Sequence, residues 1–131
     1  MITIWTNGCF DIIHRGHIEM FKYARSLGDK LIVGIDSDEK VKRDKGKDRP
    51  FNCLEDRAEV LSSIKYIDEV RIFYDRTMLE KLIKNIKPDI IVVGSDWKEK
   101  EVVGSEYSKE VKFFGRMNGY STTNILENRK L

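Results

Sequence analysis

Ile2-Thr3-Ile4-Trp5, Thr6-Asn7-Gly8-Cys9-Phe10-Asp11 and His14-Arg15-Gly16-His17 follow one another closely, and their reading decides the fold. A short apolar run that passes into a glycine-bearing stretch reads as a strand ending in a turn. A helix then opens near Gly16, with Ile18, Phe21, Tyr23 and Ala24 near helical spacing and Gly28 behind Leu27 as its stop. The first backbone N–H groups of such a helix attract anions. His14 and His17 are the chain's two histidines, and their spacing lets them project from one side toward one bound group. Either imidazole can donate a hydrogen bond to a phosphate oxygen, so a phosphate site is the first expectation.

The alternation continues along the chain. Apolar runs at Ile2–Trp5, Leu31–Ile35, Val70–Phe73, Ile90–Val93 and Val111–Phe114 are short, rich in branched residues and separated by helical patterns. That order predicts an α/β fold: a parallel five-stranded sheet covered by helices on both faces. Asn52 with Glu55 three residues on reads as a helix cap ahead of Leu54, Ala58, Val60, Leu61 and Ile64. Met78, Leu79, Leu82, Ile83 and Ile86 trace another apolar stripe, which Pro88 ends. Asp38 to Arg49 and Gly94 to Tyr107 read as irregular loops that follow strands, at the carboxyl edge where open α/β sheets bind ligands.

A length of 131 residues predicts one domain, 1–131, with a single core. Twenty-four basic against 22 acidic residues leave a net charge of +2, which gives no pointer to nucleic acid or a membrane surface. Cys9 and Cys53 form no Cys-x-x-Cys pair, and the sequence carries no signal peptide or apolar run of spanning length. A cytoplasmic protein with two structural cysteines is expected. His-x-x-His near Cys9 suggests a metal site, but no cysteine pair or third histidine completes one. A redox dinucleotide fold requires Gly-x-Gly-x-x-Gly after its first strand, and Asn7 to Gly16 lacks that spacing.

Several further segments follow in order: Lys42-Arg43-Asp44-Lys45-Gly46, Arg49-Pro50-Phe51-Asn52, Asp56-Arg57, Gly94-Ser95-Asp96-Trp97 and Gly119-Tyr120-Ser121-Thr122-Thr123. With Thr6 to Asp11 and His14 to His17, they make the chain resemble the cytidylyltransferase-like nucleotidyltransferases, Rossmann-like folds with His-x-Gly-His after the first strand. It is most similar to the heptose-1-phosphate adenylyltransferases and the glycerol-3-phosphate cytidylyltransferases. The resemblance implies that a phosphate oxygen of a small phosphorylated sugar or polyol attacks the α-phosphorus of a nucleoside triphosphate, releasing pyrophosphate. Such a reaction needs positioning and charge neutralisation and no protein nucleophile.

By that resemblance, His14, His17 and Lys45 are the catalytic residues. Thr6, Gly8, Cys9, Phe10, Gly16, Gly94, Asp96, Trp97, Ser121, Thr122 and Thr123 bind the nucleotide. Asp11, Arg49, Arg57 and Arg116 contact the acceptor or its phosphate. Mg²⁺ accompanies the triphosphate, and the protein forms a homodimer. The residues add their own arguments. Arg57 has no carboxylate three or four positions away on its helix, which leaves it available to a ligand. An aspartate at 96 suits a ribose hydroxyl or base amino group, the Trp97 indole suits the face of a base, and Ser121-Thr122-Thr123 holds more hydroxyls than one helix cap requires.

The nucleotide base divides the two likenesses. Lys42 to Asn52 and Glu101-Val102-Val103-Gly104 look more like the heptose enzymes and favour ATP, whereas Asp96-Trp97 and Arg116 look more like the glycerol enzymes and favour CTP. ATP with a sugar 1-phosphate is the expectation. A glycerol-3-phosphate cytidylyltransferase and a catalytically silent nucleotide-binding module are the alternatives. The kinase domain fused to the heptose enzyme in many bacteria does not occur in this sequence, so a separate kinase is expected.

Overall fold

The structure, a computed structural model, describes residues 1–95 and 100–115. Its strands are β1 (Thr3–Gly8), β2 (Lys30–Asp36), β3 (Glu69–Phe73), β4 (Ile90–Gly94) and β5 (Glu110–Phe114). All pairings are parallel, in the order β3-β2-β1-β4-β5. The order reverses at β1, whose neighbours are β2 on one side and β4 on the other. The helices are α1 (Arg15–Ser26), α2 (Asp38–Lys45), α3 (Leu54–Ser62) and α4 (Arg76–Ile86).

Alternation along the strands assigns the helices to faces. Ile4, Leu31, Val33, Ile35 and Val92 pack with Phe21 and Ala24 of α1 and Leu61 of α3. Trp5, Ile32 and Ile91 point the other way, onto Leu79 and Ile83 of α4. Successive strand residues face opposite sides, so a sheet covered on both faces must be apolar almost throughout. The Trp5 ring crosses Gly34 of β2, where a Cβ would come within 2.6 Å of the indole, and Nε1 donates to Asn7 Oδ1 at 2.8 Å.

At the amino edge, aspartates accept the leading strand amides. Ile2 N–H donates to Asp29, Leu31 N–H to Asp68 and Thr3 N–H to Asp89, at 2.7, 2.8 and 2.8 Å. The backbone donors there are thus answered by side chains.

Two sequence expectations are corrected. Residues 38–45 are helical instead of irregular: Ser37 caps Lys40 N–H at 3.2 Å, Asp38 and Glu39 occupy the first turn, and Lys42, Arg43 and Lys45 occupy the last. That gradient suits the helix dipole, while Val41 is the one buried residue, too little for an apolar stripe. Asn52 does not cap α3; Cys53 holds the cap position without a side-chain bond, and Asn52 Nδ2 donates to the Asp11 carbonyl at 2.7 Å. Gly28 follows the cap Leu27 as the expected stop, but without a left-handed φ; it is required by proximity, since a Cβ there would lie 2.7 Å from the Ile2 carbonyl oxygen.

Candidate active site

The turn after β1 is built around Phe10, whose backbone is left-handed at φ 49°. A bulky residue in that conformation needs surrounding contacts to hold it. The ring is buried, edge-on to His17 at 5.5 Å and to Phe21 at 5.2 Å, and it also covers Gly8, where a Cβ would be 3.1 Å from it. Thr6, Cys9 and Phe10 all have buried side chains, so they shape the turn from inside. Burial pushes the Cys9 thiol above its ordinary value despite the Lys45 and Arg57 cations, which fits the structural role expected of it.

His14 and His17 open α1 as a reciprocal cap. Gly16 N–H donates to His14 Nδ1 at 3.1 Å, and His14 N–H donates to His17 Nδ1 at 3.2 Å. Their rings stack with centroids 3.9 Å apart and planes 32° from parallel. With Nδ1 accepting, the proton of each neutral ring sits on Nε2 and makes that nitrogen the donor. The imidazoles thus take up the Gly16 and His14 N–H groups at the start of α1.

Asp11 and Arg57, expected to contact the acceptor or its phosphate, are bonded to backbone around the turn and also line the cavity beside it. The buried Asp11 carboxylate accepts Phe51 N–H and Asn52 N–H, each at 2.7 Å, and Arg49 Nε at 3.1 Å. It anchors residues 49–52 to the turn after β1, a task that suits an acceptor-only group. Arg49 is thereby held beside the turn, half-buried. Arg57 is 1% exposed and donates to the Asn52 carbonyl at 3.0 Å, the Cys9 and Asp36 carbonyls at 2.9 Å, and Asp38 Oδ1 at 2.8 Å. Four of its five N–H donors are used. Its carboxylate partner comes from α2, which counting along one helix could not reveal.

Lys45 ends α2, exposed, and Gly46 follows at φ 104°. The Lys45 charge acts on both Cys9 and Asp36, which sets the lysine near the carboxyl ends of β1 and β2. Asp36 was not singled out from sequence. Burial raises its carboxyl above the usual range, while Lys40 Nζ, 3.5 Å from it and 2.6 Å from Asp44, opposes that rise. A cavity of about 250 Å³ adjoins the turn, between Phe10–Ile13 and the Asp56, Arg57 and Val60 positions of α3. Gly94 ends β4 at the same edge. Asp96, Trp97, Arg116, Ser121, Thr122 and Thr123 lie outside the described residues.

This edge combines a strand-to-helix turn, a stacked histidine pair and a lysine-bearing helix beside the strand at which sheet order reverses, the usual place for a ligand in an open α/β sheet. A model of the cytidylyltransferase-like family matches residues 5–128. The chain belongs to the cytidylyltransferase-like family. Within it, the chain is a nucleotidyltransferase domain and is 52% identical over 124 residues to the "Bifunctional protein HldE" of Helicobacter hepaticus, covering 95% of this chain and 26% of that protein. The HldE proteins of Nitratiruptor and Campylobacter fetus are 53% and 49% identical, over 95% and 97% of this chain and 27% and 28% of theirs. The chain therefore spans about a quarter of the length of these relatives. Among solved structures, a lipopolysaccharide core biosynthesis protein of Thermoplasma volcanium superposes with a TM-score of 0.70 at 30% identity, over 92% of this chain and 99% of that one. Pantothenate synthetase of Thermus thermophilus shares the fold alone, at 15% identity and a TM-score of 0.65, over 98% of this chain and 63% of that one.

Proposed function

We propose that this cytidylyltransferase-like domain transfers the adenylyl group of ATP to a sugar 1-phosphate of the heptose class. The observation that carries the reading is the His14–His17 pair, with Nδ1 of each ring occupied by a backbone amide, at the edge where Lys45 also lies. A phosphate oxygen of the sugar attacks the α-phosphorus, a P–O bond forms, and the bond to the β-phosphate oxygen breaks as pyrophosphate leaves. The Nε2–H groups stabilise the charge that grows on the phosphoryl oxygens, and Lys45 neutralises the triphosphate. The heptose assignment is supported by the HldE likeness and by the heptose-like sequence from Lys42 to Asn52. Val103-Gly104 adds less, because Gly104 has a left-handed φ and a Cβ there would lie 2.6 Å from Ile83 Cδ1, a requirement of packing.

Among the described residues no group of three or more His, Cys, Asp or Glu side chains is arranged to hold a metal ion. Mg²⁺ in this reading comes coordinated to the triphosphate and supplies charge neutralisation there. A homodimer is part of the proposal and is tested by sedimentation at several protein concentrations. No helix among the described residues is long and apolar enough to cross a membrane. The function is tested by pyrophosphate release from each of the four common triphosphates with a panel of sugar and polyol phosphates. ATP with a heptose 1-phosphate is expected to give the highest kcat/KM. A higher value for CTP with glycerol 3-phosphate overturns the substrate assignment, and no turnover with any pair favours a silent nucleotide-binding module.

A further inference from the structure

The buried guanidinium of Arg57 binds two separate parts of the site together. From α3 it holds the Cys9 carbonyl, inside the turn that leads to His14, and the Asp36 carbonyl, where β2 passes into α2. Through Asp38 it also grips the first turn of α2, the helix that ends in Lys45. An arginine with its stem buried in packed surroundings is a rigid fork, and a fork that joins two backbone segments fixes their separation. We propose that Arg57, paired with Asp38, is a positioning residue that sets the distance between the histidine turn and Lys45. The proposal rests on the reading of that turn and that lysine as the holders of the triphosphate. Asp38, 37% exposed at its side chain, is the half of the pair that can be altered with less risk to the core than Arg57 itself.

Asp38→Asn removes the charge of the pair and leaves the three carbonyl bonds of Arg57 in place. It is expected to lower kcat/KM for ATP by about tenfold to a hundredfold, the scale of a displacement of about 1 Å, while the protein stays folded. In a Lys45→Ala background the same substitution is expected to change kcat/KM by less than about twofold, because the lysine it would misplace is absent. A purely structural role gives the same factor in both backgrounds and overturns the proposal, as does unchanged kcat/KM in the single variant. Backbone amide spectra of the free protein supply a readout that needs no turnover. Asp38→Asn is expected to move the signals of Cys9 to Asp11 as well as those of α2, and shifts confined to α2 count against the coupling. If the wild-type protein turns over no triphosphate and acceptor pair, the functional reading fails and these spectra still decide whether Arg57 joins the two segments.

Discussion

At the scale of single residues, His14 has two separable tasks: its Nδ1 caps α1, and its Nε2–H is the proposed phosphate donor. His14→Asn keeps a good capping side chain and loses the distal donor, whereas His14→Ala loses both. Both are expected to cut turnover by roughly 10²–10³, the scale of one transition-state donor, with only the alanine variant losing about 1 kcal/mol of stability. Urea unfolding beside pyrophosphate release separates the two tasks, and near-normal turnover in His14→Asn would remove the imidazole from the chemistry. Lys45→Ala is expected to cost about 1.5–3 kcal/mol in kcat/KM for the triphosphate and Lys47→Ala much less. Equal, small losses would make the whole basic run solvated surface. The histidine pair was legible in the sequence because spacing alone brings the rings together. The anchoring contacts of Asp11 and Arg57 were not legible because their partners lie 38 to 41 and 5 to 48 residues away, and no local pattern encodes such contacts.

Among elements, the five strands were legible because both faces of the sheet are covered and each strand therefore carries an apolar run. The helix α2 was hidden for the opposite reason. It buries Val41 alone, and its signature was the Ser37 cap followed by an acid-to-base gradient. The pairing of β1 with β2 depends on a feature that the apolar runs do not disclose, the missing side chain under Trp5. Gly34→Ala would press a methyl group into the indole in a close-packed layer, with the Asn7 Cβ also 3.3 Å away. A loss of about 1–3 kcal/mol is expected from denaturant unfolding. A variant as stable as the parent would mean that Trp5 shifts at little cost and that the strand spacing does not depend on this contact.

For the whole molecule, aspartates accept backbone amides at both edges of the sheet, and the carboxyl edge adds the buried Arg57. The Thr3 amide and then Lys109 depress the Asp89 carboxyl below its ordinary value. The unfolded chain takes up that proton more readily, so the stabilisation is present above the unfolded value, near ~4, and is lost as pH falls through the lower folded value. Asp89→Asn is expected to be less stable than the parent at about pH 7, with the gap closing at about pH 3. A gap that stays constant across unfolding curves at both pH values would show that ionisation of Asp89 contributes nothing. The strand order has a further consequence, for the chain as it leaves the ribosome. β1 is made before its neighbours, yet one flank waits for β4, and Trp5 waits for Leu79 and Ile83 of α4 before it is covered. At about 5–20 residues per second, synthesis leaves the central strand half-clothed for several seconds, and over that interval the nascent chain offers chaperones an apolar face that the finished domain conceals.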